Sequence, residues 1–155
     1  MSETPGFDLD EAHRYFSAEC FNRAWDLIDR PTRTPEENRT MLQLGLASLW
    51  HWSQRPDRTS INLSVGNWQV SRIYALLGQA DEAREYAQTS LEMSQAAGDF
   101  PFYLGYAFEA LARAESISRD EARMEEYLRK ARELSEKIPD PDDKRLLLAD
   151  LDSIK

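Results

Sequence analysis

Residues 60–98 constrain the fold most strongly, because their pattern predicts two helices joined by a tight turn. Over residues 60–77, apolar side chains recur at helical spacing on two sides of the predicted helix. A helix that is apolar on two sides packs between neighbouring elements. Gly78 is expected to end this helix, since the residue after a helix commonly adopts the left-handed conformation that glycine tolerates. Small residues in the next helix, including Ala83 and Ala87, would let the two helices approach closely.

Helix start and stop signals divide the chain into seven predicted helices. The clearest start is Thr34-Pro35-Glu36-Glu37, a capping box with proline at the first helical position. We expect Ser60 to cap the third helix, and Ser118-Arg119-Asp120-Glu121 to open the sixth as a second capping box. The predicted helices cover approximately residues 9–29, 34–54, 60–77, 80–98, 102–117, 118–138 and 140–154.

Tyr74, Gly78 and Ala83 lie in a turn between two predicted helices, and their order resembles a tetratricopeptide repeat. The sequence Asp81-Glu82-Ala83-Arg84 recurs 39 residues later as Asp120-Glu121-Ala122-Arg123, which fits a degenerate repeat. The resemblance implies an all-α, tetratricopeptide-like, right-handed stack of three antiparallel helical hairpins. A C-terminal capping helix would cover the apolar end of that stack.

The predicted helices form a single domain over residues 9–155, preceded by a disordered N-terminal lead-in at residues 1–8. A chain of this length can bury a hydrophobic core without disulfides or metals. Trp50-His51-Trp52 and other motifs spread over residues 13–113 resemble a family of small uncharacterised bacterial proteins. That second resemblance supports the fold and implies no activity.

Composition and charge limit the partners and the compartment of the chain. The formal net charge is −9, and residues 79–155 hold 18 of the 28 acidic residues but 11 of the 19 basic ones. Such an acidic half repels phosphate backbones, which argues against nucleic-acid binding. The single cysteine, Cys20, excludes an intramolecular disulfide and suits a reducing cytoplasm. No apolar run approaches membrane-spanning length, so we expect a cytoplasmic protein with no membrane partner.

Residue patterns that would indicate catalysis or metal binding are weak. His13, Ser17 and Cys20 lie within two turns of one predicted helix, but no oxyanion loop or third orienting group accompanies them. His13 and His51 are far apart in the sequence, and no cluster of His, Cys and carboxylate residues has metal-ligand spacing. The chain also lacks a glycine-rich phosphate loop. We therefore predict a protein that is not an enzyme and uses no cofactor or metal.

A concave groove is the best candidate site, because the first helix of each hairpin lines the concave face in stacks of this kind. In the expected register, Trp68 and Arg72 point into the groove, with aromatic platforms beside them. Arg72 would clamp a carboxylate, and Asn22 or Asn67 would bond a peptide backbone. The alternative is that the tryptophans belong to the core and Arg72 pairs internally with Asp26. The candidate peptide-binding residues are Asn22, Trp25, Asp26, Asn67, Trp68, Arg72, Glu109 and Arg113.

Two other functions remain open from the sequence. Trp50 and Trp52 point to roughly opposite sides of their helix, so one of them is exposed unless neighbours cover both sides. With a stripe of Leu147, Leu151 and Ile154, the exposed tryptophan would form a homodimer interface. The third interpretation is a small-molecule sensor or enzyme with a pocket around His51 and Arg72. The main prediction is a non-catalytic scaffold that binds a protein or peptide.

Overall fold

The computed structural model describes residues 3–155, and this part of the chain is all-helical, without a β-strand. None of its helices is both long and apolar enough to cross a membrane. Met1 and Ser2 of the predicted lead-in lie outside the described residues, and residues 3–8 form no helix. The helices are α1 Leu9–Ile28, α2 Pro35–Gln54, α3 Ser60–Leu76, α4 Ala80–Ala97, α5 Pro101–Ser118, α6 Glu121–Ser135 and α7 Pro141–Asp152.

Consecutive helices pack as three hairpins: α1 with α2, α3 with α4, and α5 with α6. The short connections between helices of similar length make each hairpin antiparallel. Neighbouring hairpins also contact one another, through α2 and α3 and through α4 and α5. The first helices of the hairpins touch in succession, α1 with α3 and α3 with α5. This arrangement places α3 and α5 at the centre of the molecule, with neighbours on more than one side.

Most of the predicted helix boundaries are confirmed within one or two residues. Thr34 forms the predicted capping box: its side chain accepts from the backbone of Glu37, whose carboxylate accepts from the Thr34 N–H. Gly78 has φ +73°, the left-handed conformation expected after α3. Asp8 caps α1 by accepting a hydrogen bond from the backbone of Glu11.

Two predicted caps are wrong by one or two residues. Thr59, not Ser60, caps α3, because the Asn62 side chain accepts from the Thr59 N–H and completes a capping box. Ser118 belongs to the end of α5, and Asp120 caps α6. Between them Arg119 has φ +63°, so a non-glycine residue makes the left-handed turn that ends α5.

Small side chains let the central helices pack closely. Ala83 of α4 is fully buried in a cluster with Ala75 of α3 and Ala114 of α5. Two turns further along α4, the hydroxyls of Ser64 and Ser90 each donate to the carbonyl oxygen of the other residue, at 3.1 and 3.0 Å. The buried hydroxyl groups therefore form hydrogen bonds between α3 and α4, so they are not left as unsatisfied polar atoms.

The C-terminal helix packs on α5 and α6, as predicted for a helix that covers the apolar end. Leu147, Leu151 and Ile154 are 0, 1 and 8% exposed and belong to a core cluster with residues of α5 and α6. The homodimer interface predicted for these three residues is therefore wrong, since their apolar surface is already covered by their own chain. Gly105 of α5 permits the contact, because a Cβ added there would lie 2.6 Å from Leu147 Cδ2.

The repeated Asp-Glu-Ala-Arg sequence provides a matched test of the packing. Ala83→Glu should lower the free energy of unfolding by at least about 3 kcal/mol, because it forces a charge and extra volume into a fully buried position. Ala122→Glu places the same change at the equivalent position of α6, where the side chain is exposed, and should shift stability by less than about 0.5 kcal/mol. Urea unfolding followed by circular dichroism measures both. Equal effects would contradict the packing described here.

Candidate functional site

A cavity of about 390 Å³ opens between α1, α3 and α5, which are the first helices of the three hairpins, and α7. Its walls are mostly apolar and aromatic, with a small number of charged and hydroxyl groups among them. Sites of this size and composition are typical of ligand pockets, in which a few polar groups fix the orientation of the ligand. The lining residues are Trp25, Asp29, Ser64, Val65, Trp68, Arg72, Ser90, Phe102, Tyr103, Tyr106, Leu146 and Asp150.

Aromatic rings from α1, α3 and α5 form a continuous wall of the cavity. The Trp25 and Trp68 rings lie 5.5 Å apart between centroids. Trp68 meets Tyr106 edge-on at 5.2 Å, and Tyr106 meets Phe102 in the same way at 5.0 Å. These separations are those of favourable aromatic pairs, so each ring helps to orient the next.

The carboxylate of Glu109 lies beneath this wall with no exposed surface. It accepts hydrogen bonds from Trp68 Nε1 at 2.8 Å, from Arg72 Nη1 at 3.1 Å and from Arg113 Nε at 2.7 Å. A buried carboxylate is costly unless opposite charges and hydrogen bonds compensate it. Here two guanidinium groups and one indole N–H do so, and they join α3 to α5.

Arg72 connects the buried cluster to the cavity. It lines the cavity, yet its side chain is 18% exposed and its Nη1 is held by Glu109. Burial lowers the pKa of Arg72, and the charge of Arg113 lowers it further, while Glu109 and Asp150 oppose this shift. Its Nε atom is buried without a hydrogen-bond partner in the described part of the chain. A guanidinium group nevertheless stays protonated, so Arg72 is a fixed positive charge.

The Tyr106 hydroxyl ties α5 to α7 at the other side of the cavity. It donates a hydrogen bond of 2.7 Å to Asp150 Oδ2. Burial, followed by this hydrogen bond, raises the pKa of Tyr106 well above its ordinary value, so the phenol remains a neutral donor. Arg113 strengthens the junction, because its Nη2 donates to the backbone oxygen of Asp150 at 3.2 Å and to Ser153 Oγ at 3.0 Å.

Three of the predicted peptide-binding residues, Trp25, Trp68 and Arg72, line this cavity together. Glu109 and Arg113 do not line it: they lie behind its wall and hold Trp68, Arg72 and α7 in place. The carboxylate partner of Arg72 is thus Glu109, and no ion pair with Asp26 occurs within residues 3–155.

The remaining predicted groove residues lie elsewhere. Asn22 lines a smaller cavity of about 240 Å³, beside Trp52. Asp26 is exposed and lines neither cavity. Asn67 is 8% exposed, and its amide nitrogen donates to the Leu63 carbonyl oxygen of its own helix at 2.8 Å.

Sequence reasoning missed nine of the twelve lining residues of the cavity, and five of the nine carry an aromatic ring or a charge. Tyr106 lies one helical turn before Glu109 and could have been found from that spacing. Phe102 and Tyr103 lie one turn earlier still. Asp29 and Asp150 come from the ends of α1 and α7, and no local pattern indicates that these ends meet across a cavity.

The Trp50-His51-Trp52 motif lies outside the main cavity. Trp50 is 55% exposed, whereas the Trp52 ring is covered by the Arg55 guanidinium at 3.9 Å. His51 Nδ1 lies 2.9 Å from His13 Nδ1, so α1 and α2 bring together two histidines that are far apart in the sequence. His51 lines neither cavity, and a shared pocket around His51 and Arg72, as predicted, is therefore not formed.

Comparisons with known proteins do not assign this chain to a family. No family model, curated protein or solved structure matches it.

Removal of one partner from the buried ion cluster should be strongly destabilising. Glu109→Gln removes the charge that compensates Arg72 and Arg113, and we expect it to lower the free energy of unfolding by at least about 2 kcal/mol. Glu133→Gln is the control, since Glu133 is 64% exposed and its ion pair with Arg129 should contribute less than about 0.5 kcal/mol. Urea unfolding at neutral pH compares the two variants. A small effect of Glu109→Gln would mean that the cluster is not formed.

The paired histidines should make stability depend on pH. One imidazole ring donates a hydrogen bond to the other, so at least one of the two rings must be neutral. Burial lowers the pKa of His51, and the charge of His13 lowers it further. Because the pKa of His51 is lower in the folded state, protonation of this residue favours the unfolded state. The corresponding stability is present above the unfolded-state pKa of 6.5 and is lost as the pH falls through the folded-state pKa. We expect the free energy of unfolding to decrease from about pH 7.5 to about pH 5.5, and His51→Gln to reduce that decrease. An unchanged decrease in the variant would exclude His51 as its source.

Proposed function

We propose that this chain is a non-catalytic scaffold that binds a segment of a partner protein in a groove formed by α1, α3 and α5. On this proposal the three hairpins form a tetratricopeptide-like stack, whose concave face carries the first helices. The successive contacts of α1, α3 and α5 support such a stack. The end of the groove is closed by α7, which supplies Leu146 and Asp150 to the cavity.

The cavity of about 390 Å³ is the observation on which the proposal rests. Side chains of all three first helices line it, as expected for a groove that follows the stack. Its walls are aromatic, which favours tight packing of an inserted side chain at low entropic cost. Its volume is at the lower end of the usual range for ligand pockets, about 300–1,000 Å³, and suits one or two side chains of a peptide.

Three polar side chains at the wall of the cavity support binding rather than catalysis, because each is already engaged by another side chain. Glu109 accepts hydrogen bonds from three side chains, and Arg72 is paired with it. Tyr106 is held as a neutral donor to Asp150. These groups are engaged in maintaining the cavity walls, whereas a general base or nucleophile must reach the proton or atom on which it acts.

Self-association is a second candidate function, favoured by an exposed aromatic cluster on the α1–α2 hairpin. Tyr15, Phe16 and Trp50 are 61, 45 and 55% exposed. The Phe16 and Trp50 rings both contact His51, at centroid distances of 5.5 and 4.9 Å. Exposed apolar patches of this kind often mark interaction surfaces. A homodimer that buries this cluster would show a mass that increases with concentration.

Selection from a displayed library of random peptides tests the peptide-binding proposal. We expect enriched peptides to lose affinity by at least about tenfold for Leu146→Trp, because the larger side chain occupies the cavity mouth. Leu146 is 55% exposed, so this variant should fold. Leu76→Trp is the matched control: Leu76 is also exposed, at 40%, and lines neither cavity. Failure of any peptide to enrich, or equal binding by both variants, would contradict the proposal.

A further inference from the structure

We infer that the cavity receives a basic side chain, a lysine or an arginine, of the bound segment. This inference rests on the proposed function, because it specifies which part of a peptide would enter the cavity. It follows from the charged residues that line the cavity, from the aromatic walls, and from the pairing of Arg72 with Glu109.

Two carboxylates that line the cavity have no ion-pair partner. Asp29 lies at the end of α1 and is exposed, and Asp150 lies on α7. Neither forms a salt bridge within residues 3–155, unlike Glu109 behind the wall and Asp152 on α7. Asp150 accepts a single side-chain hydrogen bond, from the neutral Tyr106 hydroxyl to Oδ2, which leaves Oδ1 as a free acceptor. The charged residues of the lining are therefore two carboxylates against the single guanidinium of Arg72.

The aromatic walls suit a cation as well. The indole N–H of Trp68 is engaged by Glu109, so the polar edge of the ring points away and its apolar surface lines the cavity. Trp25 lies beside it, and Tyr106 completes the wall. Lysine and arginine side chains are attracted to the faces of such rings, and their alkyl stems pack against apolar surface.

The positive charge of Arg72 does not make the cavity an anion site. Its guanidinium is paired with the buried Glu109, which also pairs with Arg113 behind the wall. An entering carboxylate would compete with Glu109 for Arg72 and would meet the negative charges of Asp29 and Asp150 in the lining. A cation instead meets Asp29 and Asp150, which together outweigh the single positive charge of Arg72 in the lining, and the net charge of −9 attracts it from solution.

The test uses charge-neutralising variants with a control on the same helices. Asp29→Asn combined with Asp150→Asn removes both cavity carboxylates and keeps an acceptor oxygen for Tyr106. Asp26→Asn combined with Asp152→Asn removes two exposed carboxylates of α1 and α7 that do not line the cavity. The two double variants have the same net charge. Asp152 also pairs with Arg132, but both side chains are largely exposed, at 70% and 46%, so loss of this pair should have little effect.

Two probes are measured by the change in tryptophan fluorescence. The first is the tightest peptide from the library selection, compared with an analogue in which norleucine replaces one basic residue. We expect the replacement to weaken binding to the wild type by at least about tenfold, and to have little effect in the Asp29/Asp150 variant. The Asp26/Asp152 variant should behave like the wild type. The second probe is Nα-acetyl-lysine amide. We expect it to bind weakly to the wild type and to the Asp26/Asp152 variant, and not to bind to the Asp29/Asp150 variant.

The outcomes separate this inference from the proposed function. If selected peptides bind but the norleucine analogues bind equally well, the inference is wrong and the peptide-binding proposal stands. If no peptide enriches but the lysine amide binds in a manner that depends on Asp29 and Asp150, the cavity is a cation site and the peptide-binding proposal falls. Absence of binding by both probes would overturn both.

Discussion

The buried carboxylate of Glu109 is the interaction on which the central part of the structure depends. It accepts from Trp68 and Arg72 of α3 and from Arg113 of its own helix, α5. Arg113 in turn bonds the backbone of α7 at Asp150. One fully buried negative charge thus fixes the orientation of an aromatic wall, a guanidinium group and the C-terminal helix. Because a buried charge is tolerated only when its partners are in place, the cavity walls are expected to form together or not at all.

A second buried glutamate on α5 also pairs with an arginine of another helix, but it takes no part in a cavity. Glu115 is 1% exposed and accepts two hydrogen bonds from Arg84 of α4. The hydrogen bond from Arg84 lowers the pKa of Glu115 and keeps it charged. This pair lies outside both cavities. The two buried glutamates of α5 thus have different roles: Glu115 holds α4 against α5, whereas Glu109 orients the residues of the cavity wall.

Features governed by neighbouring residues could be predicted from the sequence, and those governed by tertiary contacts could not. The capping box at Thr34 and the left-handed turn at Gly78 are local, and both predictions are confirmed. At Arg119 the chain makes the same kind of turn without glycine, which local propensity disfavours. Trp68 and Arg72 share a helix face at i,i+4 spacing, so their meeting at the cavity was predictable. The contribution of α7 depends on how helices far apart in the chain pack, and no spacing encodes it.

The indole N–H signals of the four tryptophans give the most direct test of the proposed binding site. In a ¹H–¹⁵N spectrum of the labelled protein, a selected peptide should shift the signals of Trp25 and Trp68, which line the main cavity. The signals of Trp50, which is exposed on the first hairpin, and of Trp52, which lines the smaller cavity, should stay unchanged. Shifts confined to Trp50 or Trp52 would contradict the account. They would indicate binding at the α1–α2 surface in the case of Trp50, or in the smaller cavity in the case of Trp52.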